Sequence, residues 1–286
     1  MGSFRMQVGN AEILALSDMN IGIGAPMQEL WPKVPPDAWK AYAELYPDAF
    51  DGDRMRLEVA CYLVRSQGKT ILIDTGYGPG PIRAIGGRRG ELMLDLATRK
   101  VTDDDVDIVF LSHLHLDHVG WNTVRRGDGW VPTFPNARYI CHEADLEHFR
   151  KEEVQAAQTY RFMYMFVDPL DEQGLLDTVS GDFDLTDEVK AVHTPGHTPG
   201  HMSVLVTSGG ERANIQGDVL IHPAQVTEEE WNSRFDVDWD TANVTRRKLL
   251  DQVEAEGATV VSCHFPLPGF GRVVRSQGKR YWQTGL

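Results

Sequence analysis

Four short apolar runs in this chain each stop at histidine or aspartate, and that repetition limits the folds open to it. Residues 106–111 (VDIVFL) lead into Ser112-His113-Leu114-His115-Leu116-Asp117-His118. Residues 189–192 lead into His193 and then Thr194-Pro195-Gly196-His197-Thr198-Pro199-Gly200-His201. Residues 213–216 end at Gln216-Gly217-Asp218, and residues 259–261 at Ser262-Cys263-His264. A short unbroken apolar run is how a strand buried on both faces reads. Strand ends that feed into loops are where α/β chains gather their polar side chains. Four such ends predict strands whose termini converge on one polar centre.

The rest of the chain supplies sheets and covering helices. Residues 4–17 read as paired strands, and 57–64 with 70–73 as a hairpin turning at Ser66-Gln67-Gly68-Lys69. Residues 138–141 and 271–274 are further strands. Helical spacing runs from 143 to about 165, interrupted or not, and again over 240–256, where Val244, Leu249, Leu250 and Val253 form a stripe. Residues 18–56 break the pattern with prolines and aromatic residues. They predict one short helix over 36–45 and otherwise a lid, or an interface arm through which two copies would pair. No Pro/Gly/Ser linker divides the 286 residues, so the expectation is a single α+β domain.

Composition removes several function classes. The 28 basic and 42 acidic residues leave a net charge of −14, which repels phosphate backbones and argues against nucleic acid as a partner. No stretch approaches the ~18 apolar residues of a membrane span. The first residues, MGSFRMQVGNAEI, have no apolar signal core, so a cytoplasmic location is expected. Cys61, Cys141 and Cys263 form no CxxC pair, which reads as three free thiols.

The polar segments carry ligand chemistry. His113 and His115 are two apart, so an extended backbone points both the same way. Asp117 and His118 follow as the chain bends. Imidazole and carboxylate suit zinc, and also iron, manganese or cobalt. The two Pro-Gly turns hold His197 between them in a fixed pose.

HLHLDH, then TPGHTPGH, then GD, then a late single histidine resembles the metallo-β-lactamase superfamily over roughly residues 57–270. The resemblance implies a four-layer αββα sandwich with two divalent metal ions, zinc by default, at one edge of its sheets. By motif, His113, His115 and His197 would hold the first ion. Asp117, His118 and His264 would hold the second, and Asp218 would bridge them. Asp74 and His201 would hold ligands in place from behind. The implied reaction is hydrolysis by a hydroxide shared between the ions, with Asp117 and Asp218 as the catalytic carboxylates. The HFPLPGFG segment from His264 and the aromatic stretch before Leu57 resemble methyl parathion hydrolase and related lactonases and arylesterases. That branch implies a small apolar lactone or aryl ester as substrate, with phosphotriester hydrolysis or a mononuclear-iron sulfur dioxygenase as alternatives. Acyl-homoserine lactonases place a tyrosine three residues after the bridging aspartate, where this chain has Ile221. Trp31, Trp121, His222, Phe265 and Phe270 are the expected pocket walls.

Overall fold

A computed structural model describes residues 4–20, 24–81, 86–157 and 162–285. Residues 21–23 of the aromatic segment and 158–161 of the long helical stretch fall outside those described.

Seven strands form the first sheet, ordered in space as they are in the chain: β1 (Arg5–Val8), β2 (Ala11–Asn20), β3 (Glu58–Ser66), β4 (Lys69–Ile73), β5 (Ile108–Phe110), β6 (Arg138–His142) and β7 (Leu176–Val179). Pairing is antiparallel from β1 to β4 and parallel from β4 to β7. The second sheet repeats the arrangement with β8 (Phe183–Thr186), β9 (Val189–His193), β10 (Met202–Ser208), β11 (Glu211–Ile215), β12 (Thr259–Val261), β13 (Phe270–Ser276) and β14 (Lys279–Thr284). Only β11 and β12 pair in parallel there. The hairpin between β3 and β4 turns on Gln67 and Gly68, both at positive φ, the geometry whose twist matches the flanking strands.

Strand alternation builds the layers. In β2, Ile13 and Ala15 face the second sheet while Leu14 and Leu16 face outward. In β3, Ala60, Tyr62 and Val64 alternate in the same way with Cys61 and Leu63. The inward set meets Val189, Ala191, Val204, Val206 and Ile215 to form the core between the sheets. The outward set is covered by the helices Leu92–Thr98 and Glu143–Phe149 and by Phe162, Phe166 and Leu170. The outer face of the second sheet is covered by the helix Trp239–Glu256, through Leu249, Leu250 and Val253. The result is helix, sheet, sheet, helix.

Several sequence expectations are corrected. Val244 is 44% exposed and leaves the helix stripe, while Ala242, Thr245 and Arg246 join its buried face. The stretch from 143 breaks into the helices Glu143–Phe149 and Glu152–Ala157, followed by a wide turn at Met163–Val167. β7, β8 and β14 carry too little apolar alternation to be read as strands from sequence. The segment before Leu57 turns its aromatic residues inward. Trp31, Trp39, Tyr42 and Phe50 pack with Ile221 and Ala224 in a cluster of their own. The expected short helix is there, as a 3-10 turn Pro36–Trp39 running into Lys40–Leu45.

Candidate metal centre

β4 and β5 run in the same direction. So do β9, β11 and β12, because β10 lies antiparallel between β9 and β11. All five therefore end at one edge of the sandwich. Backbone bonds from Met202 N to Ser112 O (2.8 Å) and from Ala60 N to Cys263 O (3.0 Å) lock the two sheets together there.

Three ring nitrogens meet first. His115 Nδ1 lies 3.0 Å from His113 Nε2 and 3.0 Å from His197 Nε2. Asp218 Oδ2 is 3.3 Å from His197 Nε2 and 3.9 Å from His113 Nε2. A second group sits beside it. His264 Nε2 is 3.2 Å from Asp218 Oδ2 and 3.6 Å from Asp117 Oδ2. His118 Nε2 is 3.5 Å from Asp218 Oδ1 and 3.8 Å from Asp117 Oδ2. The structure thus brings together all seven residues that the motifs single out, with Asp218 between the two groups.

The far side of four of the five rings is tied to protein. His118 Nδ1 donates to Asp74 Oδ2 at 2.8 Å, His197 Nδ1 to Asp236 Oδ1 at 2.8 Å, and His264 Nδ1 to the Glu58 carbonyl at 2.7 Å. His113 Nδ1 lies 3.1 Å from Ser112 Oγ. Each of these bonds fixes a tautomer and leaves the Nε2 lone pair facing inward. Asp74 reaches His118 from a left-handed backbone (φ 62°) and also accepts from Ser112 N and Oγ, each at 2.7 Å. His201 Nε2 accepts from the Asp218 amide at 2.9 Å. Gly217, at φ 58°, permits this, because a Cβ there would lie 2.5 Å from His201 Nε2.

Two positioning residues, Asp236 and Asp145, have no signature in the sequence. Asp236 holds His197 and is itself held by Ser233 N at 2.9 Å and by buried Arg246, whose Nη2 is 3.5 Å away. Asp145 accepts from Leu114 N (3.0 Å), Thr198 Oγ1 (2.9 Å) and Gly200 N (2.6 Å), and so pins both histidine loops to one carboxylate. Burial pushes Asp145 up to about 6 against those donors.

Four of the five residues expected as pocket walls are buried in cores. Trp31 and Phe265 are fully buried, Trp31 against Trp39 and Phe265 against Trp282. Phe270 packs on Tyr62 between the sheets. His222 is boxed by the rings of Trp31, Trp39 and Phe50. Each is large and sits where apolar area is most fully removed from water, which is a core position and not a wall. Trp121 is partly buried and donates its indole N–H to Asp18 Oδ1 at 2.8 Å.

The donors fit metal ions. Three nitrogens converging on one point cannot all be satisfied by hydrogen, since neutral imidazole carries one N–H. His118 Nε2 is buried with no hydrogen-bond partner. Burial and mutual repulsion hold His113 and His115 well below the usual histidine range, so both are neutral, as a ligand must be. Burial opposes charge on His118, but Asp218, Asp74 and Asp117 outweigh it and hold it up to about 9. Burial likewise opposes charge on Asp218, yet His264, His118 and His197 keep it well below the carboxylate range. His113 and His115 are therefore neutral, while the other half of the site is carboxylate-rich.

Residues 54–264 match the family model of the metallo-beta-lactamase superfamily. An N-acyl homoserine lactonase of Bacillus thuringiensis is 26% identical over 230 residues, covering 71% of this chain and 80% of that protein. One from Bacillus sp is 27% identical over 176 residues, a match spanning 60% of its length and 54% of this chain. Among solved structures, the hydrolase AbOPH in the beta lactamase superfamily superposes with a TM-score of 0.81 at 25% identity, over 98% of this chain and 96% of that one. The dizinc quorum-quenching lactonase AidC superposes with a TM-score of 0.80 at 22% identity, over 99% and 97%.

Proposed function

The chain belongs to the metallo-β-lactamase superfamily, and we propose that it is a two-metal hydrolase that opens an apolar lactone or cleaves an aryl ester. The observation carrying this reading is the pair of donor groups sharing Asp218 at a mouth edged by apolar side chains. His113, His115 and His197 would hold one ion, and Asp117, His118 and His264 the other, with zinc the expected metal. Ions held there would supply Lewis acidity and an activated water near neutral pH. Two complete donor groups favour this over a one-iron centre.

This chain's residues do the positioning. His115 and Asp117 are partly exposed, whereas the other ligands are buried, so substrate enters on their side. Asp117 stands there as the carboxylate able to take a proton from the attacking water and deliver it to the leaving oxygen. Phe235 and Val237 flank Asp236 and are 43% and 49% exposed, and the Phe235 ring lies 6.4 Å from that of His115. The Val237 amide donates to the His197 carbonyl at 3.0 Å, so these apolar side chains are fixed relative to a ligand. They suit the apolar part of a substrate. Ile221 is buried among aromatic rings and offers no phenol to the reaction.

The test is acid release in a pH-stat from an aryl lactone, an acyl-homoserine lactone, an aryl ester and a phosphotriester. Metal-loaded and chelator-stripped protein run side by side. Chelator-sensitive turnover of a lactone or ester is expected. Silence on all four by fully loaded protein would overturn the proposal.

A further inference from the structure

Cys263 reads from the sequence as a free thiol, yet its side chain lies beside the donor groups. Its Sγ is 3.2 Å from Asp218 Oδ1 and 3.4 Å from the Gly217 carbonyl, and the residue is 4% exposed. Sγ, His118 Nε2, His264 and Asp218 all offer ligand atoms within 4.8 Å of one another. His118 Nε2 is buried without a hydrogen-bond partner, and it approaches the same carboxylate oxygen as the thiol, at 3.5 Å. A thiol and an imidazole nitrogen thus flank one carboxylate oxygen, bringing sulfur, nitrogen and oxygen together. The other two thiols, Cys61 and Cys141, lie in the core outside the first sheet.

We infer that Cys263 is a sulfur ligand to the second metal ion, making that half of the centre a mixed nitrogen, oxygen and sulfur site. The inference rests on the two-metal reading above. On binding, the S–H bond breaks, the sulfur lone pair goes to the ion and the proton leaves to solvent. No electron is transferred. A thiolate is the softest donor in the set, so it would bias this half toward zinc or cobalt over manganese. It would also place a buried, oxidisable atom beside Asp218.

The experiment is cobalt titration of the metal-free protein, followed by absorption spectroscopy and metal counting. With two ions bound, a near-ultraviolet sulfur-to-cobalt charge-transfer band is expected. X-ray absorption of the zinc form should show a sulfur neighbour at about 2.3 Å. Cys263→Ser and Cys263→Ala should lose the band and the sulfur neighbour. Their second-ion affinity should fall by about 10–100-fold. Having two variants guards against one failing to fold, and thermal unfolding of each checks this. Two cobalt ions bound to wild type without the band would overturn the sulfur ligand and leave the two-metal reading standing. A band that persists in both variants would also overturn it. Failure to bind a second ion would overturn both readings.

Discussion

His118 and His222 are both buried histidines, 1% and 0% exposed, and their surroundings could hardly differ more. Around His118 stand Asp74, Asp117 and Asp218, which hold it up to about 9. Around His222 stand Trp31, Trp39 and Phe50, and burial pushes it down to about 3. Both follow the end of a strand, His118 after β5 and His222 after β11. His118 is aimed by Asp74, and its Nε2 faces the Asp218 and Asp117 carboxylates at 3.5 and 3.8 Å, whereas the Nε2 of His222, likewise without a hydrogen bond, faces no carboxylate among its described contacts. His222 instead accepts from the Ala224 amide at 3.1 Å and starts the turn Pro223–Val226. The lesson is that burial alone does not make a histidine a ligand. What makes it one is a carboxylate behind the ring and open donors in front.

Each region can be broken separately. Asp218→Asn removes charge from the carboxylate that both donor groups share. Turnover should fall by about 10³-fold or more, several kcal/mol of transition-state stabilisation. Circular dichroism and tryptophan fluorescence should stay near wild type, and retained wild-type turnover would refute its bridging place. Trp39→Ala should do the reverse. Removing a large buried ring costs about 3–5 kcal/mol of stability by denaturant titration. Metal stoichiometry should stay unchanged, and a loss of bound metal would show that the two regions are coupled.

Asp236→Asn is a finer cut, because Asn can still accept from His197 Nδ1 but carries no charge. Metal affinity should drop about 10–100-fold by competition with a chelating dye. An unchanged affinity would reduce Asp236 to a packing role. The smallest effect belongs to pH. An unfolded histidine takes its proton near pH ~6.5, whereas folded His222 does not until about 3. Below ~6.5 the unfolded state therefore binds more protons, so this residue's share of stability is full above that pH and drains as pH falls toward 3. His222→Gln should narrow the gap between denaturation midpoints measured at about pH 7.5 and about pH 5. An unchanged gap would assign the acid sensitivity elsewhere.

Legibility from sequence followed the range of the interactions. The run 106–111 ending in HLHLDH was readable because a strand of period two and the loop after it are local facts. The same holds for the helix at 239–256, capped by Asp238 at its start and by Gly257, at φ 62°, at its end. Arg246 left a faint trace, a charge within the apolar stripe, and its partner explains it: Asp236, ten residues earlier. Asp145 left none. Its three donors come from Leu114, Thr198 and Gly200, and no spacing in the chain encodes that meeting.

The sequence by itself determined the alternation that makes two sheets with helices outside them, and the residue types available at the strand ends. Those depend on neighbours a few positions apart. Only the tertiary structure decided which of them share a point in space. It moved Trp31, Phe265 and Phe270 into cores, left Phe235 and Val237 exposed on either side of Asp236, and drew Cys263 to Asp218. Side-chain direction at a loop is set by contacts with distant strands, and those contacts exist only once both sheets have closed on one another.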